Sequence, residues 1–115
     1  MNPTISVVIT TYHRNELLAE AIESVLAQEY EPVELIVVDD SGVGHAESVI
    51  GRYDEVKGIV KAENEGCGPA RTAAVEAATG EYVHFLDDDD ILLEGKLSKT
   101  AAALEAHPDA GVAYT

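Results

Sequence analysis

The sequence predicts an α/β layer: a doubly wound, mostly parallel sheet with helices on both faces. Two observations carry this. Short β-branched apolar runs alternate along the chain with stretches whose apolar residues recur at helical spacing. Polar clusters also follow three of the apolar runs at the same end, where ligands bind in open parallel sheets.

The elements follow in order. Ile5-Ser6-Val7-Val8-Ile9 is a compact β-branched run and reads as the first strand. Leu17, Leu18, Ala21, Ile22, Val25 and Leu26 then recur at helical spacing, with Asn15 available as the cap. Pro32 breaks the chain, and the run from Val33 to Val38 reads as a second strand ending in Asp39-Asp40. Ala46, Val49, Ile50 and Tyr53 suggest a short second helix, and Gly58-Ile59-Val60-Lys61 a weaker third strand. Pro69 stands near the start of a third helix running to about Thr79, with Gly80 in the terminating position. Tyr82 to Leu86 reads as a buried fourth strand leading into four aspartates. Leu97 to Ala106 is helical in pattern, and Gly111-Val112-Ala113-Tyr114 begins a fifth strand.

Composition bounds the function classes. The chain has 115 residues, which suits a single domain with one buried core, and its 46% hydrophobic content argues against disorder. No stretch approaches the ~18 apolar residues of a membrane span, and the N-terminus lacks a basic segment followed by an apolar one. These features point to a soluble chain in the cytoplasm or on the cytoplasmic face of a membrane. The formal charge of −15 is opposite to what a nucleic-acid-binding face requires. The acids are spread over expected helix faces and loops, which fits general surface solvation of the kind found in salt-loving organisms better than a basic partner. The single cysteine, Cys67, excludes a disulfide framework and any multi-cysteine metal site. His13, His45, His84 and His107 show no ligand spacing and read as structural or surface residues.

The site chemistry lies in the three clusters: Thr10-Thr11-Tyr12, Asp39-Asp40 and Asp87-Asp88-Asp89-Asp90. Four consecutive aspartates at a strand end repel one another unless a cation or water offsets their charge. Carboxylate oxygens are hard ligands that suit Mg²⁺ or Mn²⁺ when a substrate's phosphates complete the shell. A diphosphate approaching such a loop needs a divalent bridge. The alternative, a solvated acidic turn, loses ground because two further polar clusters share the edge, and no glycine supplies the sixth position of a calcium loop. Asp39 or Asp40 can accept hydrogen bonds from a base N–H or a ribose hydroxyl, or cap the following helix. Tyr12 can stack on a base or wall the crevice, and Arg71 can reach a phosphate or the acidic edge.

Taken together these segments resemble the family-2 glycosyltransferases of the GT-A fold, a Rossmann-like arrangement. The resemblance rests on Ile5 to Tyr12, Ala21 to Gln28, Glu34 to Asp40, Asn64-Glu65-Gly66, Pro69-Ala70-Arg71, Ala78 to Val83 and Phe85 to Asp90, in that order and spacing. It implies a nucleotide-sugar-dependent, inverting transferase acting on an acceptor hydroxyl. Thr10 and Tyr12 would hold the nucleobase, commonly the uracil of a UDP-sugar. Asp40 would bind the base edge with Asp39 supporting the turn, and Arg71 would lie near the nucleotide. Asp87-Asp88-Asp89 would be the Asp-x-Asp signature, with Asp89 the direct metal ligand and Asp87 or Asp88 toward the ribose or the metal. The cofactor would be Mn²⁺ or Mg²⁺.

Three features depart from the family pattern: Thr10 stands where proline is usual, Ser41-Gly42-Val43-Gly44 replaces a longer Gly-Ser-x-Asp turn, and Thr72 replaces asparagine. The family's general base lies well beyond the aspartate signature. Residues 1–115 are therefore expected to be the donor-binding, truncated portion, with the acceptor half and the catalytic base absent. Two other readings compete. One is a non-catalytic nucleotide-sugar-binding module, dimerising through an exposed sheet edge. The other is a signalling receiver domain, which would need acids after its first strand and a lysine after its fifth, neither of which is present.

Overall fold

Four parallel strands in the order β3-β2-β1-β4 form the centre of the computed structural model, which describes residues 3–106. The elements are β1 (Ile5–Thr11), α1 (Asn15–Leu26), β2 (Val33–Asp39), α2 (Glu47–Ile50), β3 (Val56–Val60), α3 (Cys67–Ala77), β4 (Tyr82–Asp87) and α4 (Lys96–Ala106). The expected doubly wound α/β layer is what the chain forms.

The pleat divides the central strands between two cores. Ile5, Val7 and Ile9 of β1, with Leu35 and Val37 of β2, face α1, α2 and α4 through Leu18, Ile22, Val25, Val49, Leu97 and Ala101. Val8, Ile36 and Val38 face the opposite way and pack on Ala70 and Ala74 of α3. Both faces of β1 and β2 are thus covered, which is why these strands read as near-continuous apolar runs, interrupted by Ser6 and Glu34.

A polar cluster ties the lower edge of the sheet together. The Glu34 carboxylate accepts from the Ser6 hydroxyl at 2.7 Å, from the Thr79 amide at 2.8 Å and from the Thr79 hydroxyl at 2.9 Å, and it also pairs with Lys57. The Gly80 amide donates to Ser6 Oγ at 2.9 Å. Burial pushes the Glu34 carboxyl up. Lys57, the Thr79 amide and the two hydroxyls outweigh that and hold it at about 2, below its ordinary 4.5.

Several boundaries differ from the sequence expectation. Asn15 does not cap α1: Arg14 occupies the cap position with no side-chain cap bond, and the Asn15 amide donates instead to the His45 carbonyl at 2.9 Å. The third strand begins earlier, at Val56. Gly80 does not terminate α3, which ends at Ala77 with Ala78 extended. Gly80 is needed for close approach, since a Cβ there would lie 2.8 Å from both Ser6 N and Thr4 O. The fourth strand is not buried. It is the sheet edge among the described residues, with Leu86 its buried side chain and Val83 and Phe85 exposed. The expected fifth strand at 111–114 and His107 lie outside the described residues. No helix among the described residues is long and apolar enough to cross a membrane.

Candidate active site

The chain winds outward from β1 to β2 to β3, then returns to place β4 on the other flank of β1. β1 and β4 therefore end side by side at the carboxyl edge, where parallel sheets bind ligands. Strand register sets its composition. Thr10 lies opposite Asp87, and Thr11 lies opposite Asp39, so the three polar clusters end at one level. The resulting cleft has a volume of about 270 Å³ and is lined by Thr10, Thr11, Tyr12, Arg14, Asp40, Cys67, Ala70, Asp87, Asp88 and Asp89.

The two acids after β2 divide their work. Asp39 is fully buried, and its two oxygens accept from the Ser41 amide at 2.9 Å and the Ala46 amide at 2.8 Å. It shapes the loop into α2 and is not part of the cleft lining. Asp40 lines the cleft but is itself nearly buried. Its oxygens accept from the Glu65 amide at 3.1 Å and the Gly66 amide at 2.9 Å, which anchors the loop entering α3. Gly66 takes φ 96° there, a backbone state that favours glycine.

The aspartate run also divides. Asp90 N donates to the Asp87 carbonyl at 3.0 Å, folding the run into a tight turn. This turn brings carboxylate oxygens of Asp87, Asp89 and Asp90 within 4.8 Å of one another, all three exposed. Asp88 points the other way. It is buried and accepts from the Thr11 hydroxyl at 2.9 Å, locking the β4 turn to the end of β1. Three convergent hard oxygen donors fit an octahedral cation such as Mg²⁺ or Mn²⁺ that keeps open positions for phosphate and water. Asp87 and Asp89, the expected metal ligands, are in this group. Asp90, outside the expected Asp-x-Asp signature, joins it.

Two arginines flank the turn. Arg71 Nη2 lies 3.5 Å from Asp87 Oδ1, and its guanidinium sits over the Phe85 ring at 5.9 Å. It borders a neighbouring hollow of about 490 Å³ that also includes His84, Phe85, Asp87 and Asp90. Arg14 Nη1 lies 3.5 Å from Asp88 Oδ1 and 3.3 Å from Asp89 Oδ2. Sequence reasoning missed Arg14, and it named Thr11 only as a member of its cluster, with no role of its own. The signal for Arg14 was a base immediately after a strand-end cluster in a chain with only seven bases.

On the outer rim Tyr12 is half exposed and meets His13 edge-on at 4.5 Å, and His13 in turn packs against His45 at 4.5 Å. These contacts hold the Tyr12 ring upright beside the cleft. Cys67, at the start of α3, lies 4.0 Å from Thr10 Oγ1. His84 is half-buried on β4, and burial together with nearby Lys96 lowers its pKa.

The comparisons with known proteins agree with this arrangement. The family model described as "Glycosyl transferase family 2" matches residues 6–115. An uncharacterized glycosyltransferase of Nostoc sp. is 37% identical over 115 residues, covering 96% of this chain and 35% of that protein. The chain thus spans about a third of that relative's length. Among solved structures, S. aureus TarS 1-349 in complex with UDP superposes with a TM-score of 0.83 at 28% identity, covering 91% of this chain and 33% of that one. The mannosyltransferase PcManGT from Pyrobaculum calidifontis, in complex with GDP-Man and Mn²⁺, gives 0.82 at 25% identity, covering 90% and 33%.

Proposed function

The chain belongs to glycosyltransferase family 2, and from that premise we propose that it is the donor-binding portion of an enzyme moving a sugar from a nucleoside diphosphate to an acceptor hydroxyl with inversion. The observation that carries this reading is the convergence of Asp87, Asp89 and Asp90, the first two lining a cleft also walled by Thr10, Tyr12 and Asp40. A bound divalent cation, Mn²⁺ or Mg²⁺, would supply Lewis-acid stabilisation to the departing diphosphate. Tyr12 offers a ring face to a base. The Asp40 carboxylate retains lone pairs for a base N–H beyond the two amides it already accepts. Asp88, locked by Thr11, fixes the height of the turn so that its neighbours face the cleft.

In the transfer, the acceptor oxygen bonds to the anomeric carbon as the bond from that carbon to the diphosphate oxygen breaks. The bonding pair leaves with the diphosphate, and the acceptor proton passes to a base. We assign that base to none of the described residues. The UDP and GDP-Man held by the two structural neighbours support a nucleotide-sugar donor, with a UDP-sugar the first choice.

Calorimetric titration of the chain with UDP, GDP and dTDP, with and without Mn²⁺, tests the reading. UDP is expected to bind with Mn²⁺ and to lose most of its affinity without it. The absence of binding by any of the three in the presence of Mn²⁺ would overturn the proposal. Asp89→Ala is expected to weaken Mn²⁺-dependent UDP binding by about 100-fold or more while leaving the circular dichroism spectrum unchanged. Retained affinity would remove Asp89 from the metal site.

A further inference from the structure

We propose that Arg14 is an exchangeable counterion: it neutralises Asp88 and Asp89 in the free protein and turns to the donor's diphosphate once a cation takes Asp89. This rests on the donor-binding reading above. The cleft lining contains four carboxylates, from Asp40, Asp87, Asp88 and Asp89, and one guanidinium, that of Arg14. A diphosphate entering this field meets repulsion, so the position of that one cation governs binding.

Arg14 is placed for two partners in turn. Its Nη1 is 3.3 Å from Asp89, an expected cation ligand, and 3.5 Å from Asp88 Oδ1, the other Asp88 oxygen accepting from Thr11. The pair with Asp89 is half exposed at both ends, so it is weak and readily exchanged. A divalent cation on Asp87 and Asp89 competes with Arg14 for the Asp89 carboxylate. Displaced from Asp89, the guanidinium remains tethered at the cleft wall with a planar fork suited to phosphate oxygens. Arg71, 3.5 Å from Asp87 on the opposite flank, brackets the turn from the other side.

Local structure gives an independent reason to look for a task here. Arg14 occupies the cap position of α1, where a short polar side chain is favoured and a cation faces the positive end of the helix dipole. It makes no cap bond, while Asn15, a far better capping residue, sits one place too late and leaves its buried Oδ1 without a partner. A local rule broken in this way marks a functional position.

The exchange predicts opposite changes in two affinities. In Arg14→Met, Mn²⁺ alone should bind about 2- to 5-fold more tightly, because its competitor for Asp89 is gone. UDP in the presence of saturating Mn²⁺ should bind about 10- to 100-fold more weakly, because the phosphate contact is lost. Mn²⁺ binding is read by electron paramagnetic resonance and UDP binding by calorimetry, on the full chain. Arg14→Gln should show the same pair of changes. Weakening of both affinities would make Arg14 a strut for the turn, and unchanged UDP affinity would make it a bystander. Either result overturns the exchange, as does loss of fold in both variants. If UDP and Mn²⁺ fail to bind the unaltered chain, the donor-binding reading has failed instead.

Discussion

Asp40 shows how a single side chain can serve structure and site together. Its two oxygens hold consecutive amides of the loop into α3 while its outer edge lines the cleft. Asp40→Asn keeps the shape but replaces one acceptor with a donor facing an amide. The expected result is a loss of about 2 kcal/mol of stability, read from urea denaturation midpoints, together with weaker UDP binding. Asp39→Asn should cost a similar amount of stability, since Asp39 also accepts two amides, yet affect UDP only through the loop. That two acids stood at a strand end was legible in the sequence. Which one would be consumed by the Ser41 and Ala46 amides was not, because it depends on where the following loop turns back. The same limit applied to the aspartate run. Its location was readable, but the inward turn of Asp88 depends on Thr11, 77 residues away.

At the scale of elements, the strongest lesson is the polar cluster around Glu34. β2 was read from its apolar run, with no role of its own for Glu34 within it. Its carboxylate instead joins β1, β2, β3 and the α3–β4 connection through Ser6, Lys57 and Thr79. Because the folded pKa of about 2 lies below the ordinary 4.5, the folded state releases this proton more readily than the unfolded one. The resulting stabilisation, about 3 kcal/mol, is complete above about pH 4.5 and lost as pH falls toward 2. Denaturant midpoints measured at pH 7 and pH 3 should therefore differ more for the unaltered chain than for Glu34→Gln. Equal pH dependence in the two would show that other carboxylates carry the acid sensitivity. Central strands were legible because burial on both faces leaves mostly apolar residues. The exposed edge position of β4 was not, since Tyr82 to Leu86 has the same local composition as a central strand.

For the whole molecule, the formal charge of −15 sets the behaviour in salt. Carboxylates on every surface repel one another over roughly 10 Å at 0.1 M salt and only about 3 Å at 1 M. The thermal unfolding midpoint is accordingly expected to rise as sodium chloride is raised over that range, as measured by circular dichroism. A falling midpoint would mean that ion pairs such as Lys57–Glu34 outweigh the general repulsion. The return of β4 to the near side of β1 has a further consequence, which concerns assembly. The cleft is closed by residues 10–14 on one bank and 87–89 on the other, so its two banks lie at opposite ends of the described chain. Sheet built from β1, β2 and β3 alone would contain neither the turn of carboxylates nor a place for a phosphate. Contacts so distant in sequence carry the largest loop-closure cost. On the proposed function, a nucleotide with its cation would bind only after that cost has been met, and would then stabilise the folded chain by about 2.7 kcal/mol at a hundredfold excess over its Kd. Such a ligand would act as a clasp, fastening β4 to β1.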